Sequence, residues 1–299
     1  MKGRCVVTGG AGFIGSHLVE RLDGLGYDVH IVDALSTGEL ENLPKKYVDK
    51  ARIVDIIDCD LTSEFEGADY IFHMAANPSV QGSIDNPAVA ANDLMATIKV
   101  LDTARKLEVK RVIFSSSSSI YGDAKETPTT EQESKKPKSP YALSKHQGEQ
   151  YCRLFSELYG LDSVCLRYFN VYGDRMTSTG AYRSVLSVFL DAKQNGKPLN
   201  IVNDGEQRRD FIHVSDVVEA NIKSMQLDCW NDSISMNIGY GKNHSVNEIA
   251  DMFGGEKVYG ERRIEPKQTL ALTQEAKRIL NWEPKVKLQD WIKGKLNEF

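Results

Sequence analysis

Residues 6–17 of the chain are Val6-Val7-Thr8-Gly9-Gly10-Ala11-Gly12-Phe13-Ile14-Gly15-Ser16-His17. Within this segment Gly9, Gly12 and Gly15 are spaced three residues apart, and they follow an apolar run that is typical of a short buried strand. The apolar residues after them recur at helical spacing. The segment therefore predicts a strand, a tight glycine turn and a helix in immediate succession.

A turn of this kind is a suitable place for a pyrophosphate. Its main-chain N–H groups point outward without partners, and the dipole of the following helix adds partial positive charge. Glycine also lets a pyrophosphate come close to the backbone. Glycine triplets occur in ordinary turns as well, but the position between a strand and a helix favours a dinucleotide site over a plain turn.

The composition limits the class of protein. The chain of 299 residues is 41% hydrophobic and 26% charged, which is typical of a globular protein with one large domain or two joined ones. Its net charge of −5 argues against a general nucleic-acid-binding protein. No apolar run approaches the roughly 20 residues of a membrane span, and the first strand begins too early for a signal peptide. We expect neither nucleic acid nor a membrane as a partner.

Cysteine and histidine usage indicates the compartment. The 5 cysteines are scattered, odd in number and never arranged as Cys-x-x-Cys, and the 6 histidines form no cluster with metal-ligand spacing. These patterns argue against a disulfide framework and against a metal site. We therefore expect a protein without a metal in a reduced, cytoplasmic compartment.

Strand and helix patterns alternate along the first two thirds of the chain. Such alternation predicts an α/β fold in which a doubly wound parallel sheet of the Rossmann type carries helices on both faces. The predicted strands after the first are 28–33, 52–61, 69–76, 110–114 and 164–168, and the predicted helices are 16–25, 88–107 and 140–159.

The pattern changes after residue 173, where turn signals become frequent and the chain becomes mixed. We predict that residues 1–170 form the dinucleotide-binding domain and that 211–238 return to its sheet. Residues 171–210 and 239–299 are predicted to form a smaller, interleaved substrate-binding lobe. That lobe would cover the carboxyl edge of the sheet, where open parallel sheets bind their ligands.

The second predicted strand ends in a carboxylate, Asp33, about 20 residues past the glycine turn. In a dinucleotide fold such a carboxylate accepts both hydroxyls of the adenosine ribose. A 2′-phosphate would be repelled by Asp33, so NAD is favoured over NADP as the cofactor. The alternative is a solvated aspartate at a strand end.

A tyrosine and a lysine share one face of the third predicted helix. Ser139 is a good N-cap and Pro140 suits the first turn, so Tyr141 and Lys145 lie one turn apart. A nearby ammonium favours phenolate and lowers the pKa of a tyrosine towards the working range. A second Tyr-x-x-x-Lys, at 121–125, falls in a predicted loop, and we interpret it as a coincidence.

Together these motifs resemble the extended short-chain dehydrogenase/reductase family, and most of all its nucleotide-sugar 4-epimerases of the UDP-glucose 4-epimerase type. The resemblance runs through nearly the whole chain. Its motifs are the glycine turn, Asp33 with Ser36-Thr37-Gly38, Asp60-Leu61, His73-Met74-Ala75-Ala76, Ser115-Ser116-Ser117, Tyr141 with Lys145, and Arg167-Tyr168-Phe169-Asn170.

The resemblance implies a role for each matching residue. Tyr141 would be the acid/base on the sugar 4-hydroxyl, Ser117 would share a hydrogen bond with that hydroxyl, and Lys145 would hold the nicotinamide ribose. The implied NAD-binding residues are Gly9, Gly12, Phe13, Ile14, Gly15, Asp33, Ser36, Thr37, Gly38, Asp60, Leu61, Met74, Ala75, Ala76, Tyr141, Lys145 and Phe169. The implied substrate-binding residues are Ser117, Tyr141, Asn170, Val185, Arg209 and Arg263.

Asn170 and the two arginines would hold the diphosphate of a nucleotide sugar, which we expect to be a UDP-hexose. Arginine suits this task because its planar fork can bond phosphate oxygens in pairs. Taken alone, each arginine could equally be a solvated surface charge. Thr269 falls roughly where some relatives have a bulky tyrosine, and a small residue there would admit an N-acetyl group.

The end of the fifth strand distinguishes the reactions of the family. Dehydratases and decarboxylases that it resembles carry a glutamate where this chain has Ser119. The resemblance therefore implies an NAD-dependent C4 epimerase acting on UDP-glucose and UDP-galactose, with the N-acetyl forms as further candidates. The alternatives are a nucleotide-sugar dehydratase or decarboxylase and, in another class, a non-catalytic NAD-binding regulator.

The family commonly forms homodimers through the helices predicted here at 88–107 and 140–159. The apolar residues Leu94, Ile98, Leu101 and Ala104 fit one helix face. That face could form a homodimer interface or pack on the sheet.

Overall fold

The computed structural model describes residues 2–176, 183–228, 232–261 and 266–298. Within these ranges the largest feature is a seven-stranded sheet with the order β10-β6-β5-β4-β1-β2-β3. Every neighbouring pair in it is parallel. The prediction of a doubly wound parallel sheet is confirmed.

The elements follow one another in the expected alternation. The strands are β1 Arg4–Thr8, β2 Asp28–Asp33, β3 Arg52–Ile53, β4 Tyr70–His73, β5 Arg111–Ser117, β6 Asp162–Tyr168, β7 Asn170–Tyr172, β8 Leu199–Ile201, β9 Arg208–His213, β10 Ser233–Ile238, β11 Asn243–Ser245 and β12 Lys257–Tyr259. The helices are α1 Phe13–Gly24, α2 Lys45–Val48, α3 Thr62–Phe65, α4 Val80–Asp85, α5 Pro87–Lys106, α6 Pro140–Tyr159, α7 Val185–Gln194, α8 Val214–Met225, α9 Val246–Phe253, α10 Gln274–Leu280 and α11 Leu288–Leu296.

Helices cover both faces of the large sheet because its central strands are apolar on both sides. One core packs α1 and α8 against one face and includes Leu18, Ile113 and Val217. The core on the other face packs α5 and α6 and includes Val100 and Phe114. This arrangement brings the N-terminal ends of α1 and α6 to the carboxyl edge of the sheet.

The predicted third strand is largely wrong. Only Arg52–Ile53 is a strand, and residues 54–61 form turns. Asp55 accepts a hydrogen bond from the N–H of Ile57, and Asp60 accepts one from the N–H of Thr62. Aspartates that bond their own backbone two residues onward favour turns over a strand ladder.

The prediction for the third long helix is confirmed at both ends, and the serine run belongs to a strand. The side chain of Ser139 accepts the N–H of Ala142, and Gly160 ends α6 with a left-handed φ of 70°. Strand β5 continues through Ser117, and a short 3-10 helix follows at Ser118–Tyr121. The run therefore forms a strand end rather than a flexible linker.

Smaller sheets lie outside the main one in the described part of the chain. One has the order β11-β9-β7 and the other pairs β12 with β8, and a separate core lies between them and α7, α9 and α11. Within 211–238, β10 joins the main sheet beside β6, whereas residues 211–213 belong to β9. The boundaries given above for two domains stay a prediction.

The apolar face of α5 that could form a dimer interface is only partly accessible in the fold. Leu101 and Ala104 are fully buried against the sheet, while Leu94 and Ile98 are half-buried. Part of that face therefore packs on the sheet. Among the helices that the structure describes, none combines the length and the apolar character needed to cross a membrane.

Candidate active site

The glycine turn joins β1 to α1 and is closely packed. Gly9 has a left-handed φ of 70°, and a Cβ on it would lie 2.7 Å from the nitrogen of Ala75. A Cβ on Gly15 would lie 2.1 Å from the carbonyl oxygen of Gly9. Only glycine fits these positions, so the turn keeps a cradle of main-chain atoms that a side chain would fill.

Asp33 closes one side of this cradle. Its Oδ2 accepts the N–H of Ala11 at 2.8 Å and its Oδ1 accepts the N–H of Leu35 at 2.8 Å. A carboxylate has about four lone-pair sites, so capacity remains for the two hydroxyls of a ribose. The glycine cradle and this carboxylate fit NAD.

The other predicted cofactor residues lie in differing environments. A Cβ on Gly38 would lie 2.9 Å from the carbonyl carbon of Ala11, so Gly38 packs against the glycine turn, whereas Ser36 and Thr37 are exposed. Phe13, Ile14, Met74, Ala75 and Ala76 are half-buried around that turn. Asp60 is exposed, whereas Leu61 and Phe169 are buried in the protein core. Leu61 therefore offers a cofactor no accessible surface in this conformation.

Tyr141 and Lys145 lie in the first turns of α6, and Lys145 reaches the end of β5. The Lys145 ammonium lies 6.0 Å from the centre of the Tyr141 ring and donates to the carbonyl of Ser115 at 2.7 Å. The N–H of Tyr141 is held by the hydroxyl of Ser83, 3.1 Å away. Ser83 on α4 has no sequence signal that points to this contact.

Burial sets the electrostatics of the lysine. Desolvation lowers the pKa of Lys145 to about 8, and the carboxylate of Asp93 opposes this shift. Burial raises the pKa of Asp93 itself to about 6, although Lys145 and the N–H of Asn77 favour its charged form. Burial and the lysine charge also lower the pKa of His73 to about 3, so this histidine is neutral at physiological pH. The lysine is thus a cation beside the tyrosine ring, and His73 is not.

Ser117 lies at the last position of β5 and is half-buried. Its Oγ accepts the N–H of Ser119 at 3.2 Å, and the Oγ of Ser119 lies 2.9 Å away. Strand β5 therefore brings Ser117 to the edge where Lys145 bonds Ser115. The role of Ser119 in this pair could not be foreseen, because it depends on the conformation of the turn.

A buried ion pair fastens α6 to the sheet behind these groups. Arg167 on β6 forms two hydrogen bonds with Glu149 on α6, at 2.9 and 2.8 Å, and Glu149 also accepts the hydroxyl of Ser116 at 2.5 Å. Arg167 donates to the hydroxyl of Tyr121, which donates to Asn237 on β10. Arg167 is part of the Arg167-Tyr168-Phe169-Asn170 motif, but no sequence spacing predicts its ion pair with Glu149.

Two of the predicted substrate residues, Asn170 and Arg209, lie on the neighbouring strands β7 and β9. The amide of Asn170 donates to the carbonyl of Asp210 at 2.9 Å and to the hydroxyl of Thr269 at 3.3 Å. The Arg209 guanidinium is held by the carbonyls of Arg208 and Pro266. Val185 begins α7 and is half-buried. The sixth residue of the predicted set, Arg263, lies outside the described residues.

Comparison with known sequences identifies the protein family. Residues 5–239 match the profile of the NAD dependent epimerase/dehydratase family. The chain belongs to that family. It is 34% identical over 304 residues to a UDP-glucose 4-epimerase from Mycolicibacterium smegmatis, covering 97% of this chain and 96% of that protein.

Solved structures of family members superpose along the whole chain. A UDP-N-acetylglucosamine 4-epimerase from Methanobrevibacter ruminantium M1, in complex with UDP-N-acetylmuramic acid, has a TM-score of 0.92 at 36% identity, covering 99% of this chain and 97% of that one. A UDP-glucose 4-epimerase from Thermotoga maritima with UDP-glucose has a TM-score of 0.91 at 36% identity, covering 98% and 97%. The resemblance found from the motifs is confirmed.

Proposed function

We propose that the protein is an NAD-dependent epimerase that inverts C4 of a UDP-hexose through a transient 4-keto sugar. The observation that carries the proposal is the position of Tyr141 and Lys145, whose ammonium bonds the carbonyl of Ser115 at the end of β5. This pair lies at the same sheet edge as the glycine turn. The epimerases named above, similar over nearly the whole chain, support the same activity.

The residues divide the proton chemistry between them. Tyr141, as phenolate, takes the proton of the sugar 4-hydroxyl while the C4–H bond breaks and the sugar is oxidised by two electrons. NAD, when bound, supplies the acceptor for that hydride and gives it back. The ammonium of Lys145 stabilises the phenolate electrostatically. When the C4–H bond forms again on the opposite face, Tyr141 returns its proton to the oxygen.

Inversion requires that the sugar turn while the nucleotide stays in place. Asn170 and Arg209 are proposed to hold the diphosphate, and Arg209 is already oriented by two main-chain carbonyls. Binding energy from this remote group leaves the hexose loosely held. The keto sugar can then rotate about its diphosphate and present its other face.

A dehydratase or decarboxylase is the second candidate, and Ser119 argues against it. Its hydroxyl lies 2.9 Å from that of Ser117, at the position where those relatives carry a carboxylate. A serine hydroxyl cannot serve as the acid/base that removal of water across C5 and C6 requires. The third candidate, a non-catalytic regulator, has no need of the arrangement of Ser117, Tyr141 and Lys145.

Incubation of the purified protein with UDP-galactose, without added cofactor, tests the proposal. We expect UDP-glucose to form with no net change in nicotinamide absorbance at 340 nm, because the hydride returns to the substrate. Accumulation of a 4-keto-6-deoxy sugar nucleotide from UDP-galactose would move the protein to the dehydratase candidate. Release of CO2 with formation of a pentose nucleotide, when UDP-glucuronic acid is supplied instead, would move it to the decarboxylase candidate. Nucleotides released on denaturation, identified by mass spectrometry, should include NAD.

We further propose that N-acetylated hexoses are accepted. The Oγ1 of Thr269 lies 3.3 Å from the Asn170 amide, and a threonine takes less space there than the bulky tyrosine that some relatives have. Replacement Thr269→Tyr should lower kcat/KM for UDP-N-acetylglucosamine much more than for UDP-glucose. Equal losses with the two substrates would argue against a steric role for this residue.

We also propose a homodimer through α5 and α6. Met95, Leu154 and Leu158 are exposed large apolar side chains on these helices, and Leu158 is 61% exposed. Apolar residues concentrated on two neighbouring helices are typical of an interface. Light scattering should give twice the mass of 33.4 kDa, and Leu154→Glu with Leu158→Glu should give a monomer.

A cytoplasmic location is part of the proposal. Four cysteines in the described ranges are free thiols, and three of these are buried. The fifth, Cys229, lies outside those ranges. Free thiols are typical of proteins in a reducing compartment.

A further inference from the structure

We infer that Ser119 is a positioning residue that fixes the proton of Ser117 in the direction of the substrate. The inference rests on the proposed epimerase function and extends it to a residue outside the predicted site. It explains how a hydroxyl that can donate or accept is made to do only one of these at the sugar oxygen.

The conformation of the turn places two donors on one oxygen. The N–H of Ser119 lies 3.2 Å from the Oγ of Ser117 and its hydroxyl lies 2.9 Å from the same atom. The main-chain bond also caps the 3-10 helix Ser118–Tyr121, so the turn itself maintains it. A hydroxyl oxygen accepts two hydrogen bonds and donates one. With both bonds from Ser119 in place, donation is the remaining capacity of Ser117.

The hydroxyl of Ser119 has no competing partner among the hydrogen bonds of the described residues. Its proton is therefore available to Ser117, whereas Ser117 needs its own proton for a sugar oxygen. The Ser119 hydroxyl then donates its proton to Ser117, and the Ser117 hydroxyl donates its own proton to the 4-oxygen of the sugar. Hydroxyls linked in this way polarise one another, so the last donor is strengthened.

This arrangement gives the side-chain hydroxyls of Ser117 and Tyr141 different roles at the 4-oxygen of the sugar. Ser117 donates to the 4-oxygen in both directions of the reaction, and it has no lone pair left to take the substrate proton. Tyr141 therefore remains as the group that takes and returns that proton. The hydrogen bond from Ser117 strengthens as negative charge develops on the 4-oxygen, so it favours the transition state over the bound substrate.

Three variants test the inference in the holoenzyme with UDP-galactose. Ser119→Ala removes the hydroxyl and keeps the main-chain bond that supports the turn. We expect kcat to fall by about 3- to 10-fold, the value of one net hydrogen bond, with KM within twofold of wild type. Ser119→Thr restores a hydroxyl and should recover kcat. The neighbouring Ser118→Ala is the matched control and should leave kcat unchanged.

The outcomes separate this inference from the proposed function. A wild-type protein without epimerase activity would overturn both. If the wild type is active, the inference fails when Ser119→Ala keeps full kcat, when Ser119→Thr does not recover it, or when Ser118→Ala loses as much. It also fails when the loss appears in KM alone, because the residue would then contribute only to substrate binding.

Discussion

The chain contains Tyr-x-x-x-Lys twice, and the two copies have opposite surroundings. At 141–145 the motif opens the long helix α6, where the Lys145 ammonium bonds the end of β5 and lies 6.0 Å from the centre of the Tyr141 ring. At 121–125 the tyrosine ends a 3-10 helix, and Gly122, with a left-handed φ of 62°, turns the chain away before an exposed lysine. The comparison teaches that the motif carries chemistry only when one helix holds both residues at an accessible edge.

The hydroxyl of Tyr121 illustrates the difference. It is buried, donates to Asn237 at 2.6 Å and accepts from Arg167 at 2.8 Å. Burial raises its pKa to about 12, although Arg167 acts in the opposite direction. A tyrosine in this setting stabilises the fold and does not exchange protons with a substrate.

The largest effect is expected for the catalytic tyrosine. Tyr141→Phe removes the proposed acid/base, and kcat should fall by about 10²- to 10⁴-fold. Bound NAD should remain near the wild-type amount, because the ring and the glycine turn are retained. Steady-state kinetics and NAD content together check this. If activity survives in Tyr141→Phe but is lost in Tyr121→Phe, the roles assigned to the two copies are reversed.

The lysines of the two Tyr-x-x-x-Lys copies should also differ in their effect on activity. Lys145→Met removes the cation that favours phenolate, and a pKa change of one to three units predicts that activity near neutral pH falls by about 10- to 10³-fold. Lys125→Met changes an exposed side chain outside the site and should keep wild-type kcat. Parallel measurements of kcat for the two variants test this. Comparable losses of kcat would show that the two copies of the motif do not differ in function.

Stability should depend on pH through Lys145. Burial lowers its pKa from 10.5 to about 8, so between these pH values the unfolded chain binds a proton that the folded chain lacks. The free energy of unfolding of the wild type should therefore rise with pH in this window, relative to Lys145→Met, by on the order of 3 kcal/mol. Below pH 8 both states carry the proton and the difference should be constant. Urea titrations at pH 7 to about 10.5 measure it, and a difference independent of pH would contradict the account.

The smallest effect is expected for the free energy of unfolding when Tyr121, in the second Tyr-x-x-x-Lys copy, is replaced. Tyr121→Phe leaves Asn237 and Arg167 each with one hydrogen bond fewer, which should cost about 1–3 kcal/mol in the free energy of unfolding. The control Tyr159→Phe changes a half-exposed ring and should stay within about 0.5 kcal/mol. Urea unfolding at neutral pH checks both, and equal stability of the two variants would show that the Tyr121 network contributes nothing.

Local patterns predicted the fold and the catalytic helix well. The glycine turn, Asp33 and the cap of α6 involve neighbouring residues, whose preferences act over a few positions. The same reasoning was wrong at residues 54–61, where a strand was predicted but the aspartates bond their own backbone. It could not find the pair of Arg167 and Glu149, because that contact depends on how α6 packs on the sheet.

The substrate side was less predictable for a physical reason. The partners of Asn170 and Arg209 come from segments far apart in the chain, so no sequence spacing reports them. Arg263 lies outside the described residues, and its role stays a prediction. Assignment of Ser119 required the geometry of a turn, which places two donors on one oxygen.

The most direct test of the central claim follows the hydrogen at C4. UDP-galactose carrying deuterium at C4 is incubated with the protein, and the product is analysed by NMR. If Tyr141 removes only the hydroxyl proton and the C4 hydrogen leaves and returns as hydride within the site, UDP-glucose should keep the deuterium at C4. Loss of the label to solvent would contradict the account, because C4 would then exchange its hydrogen as a proton.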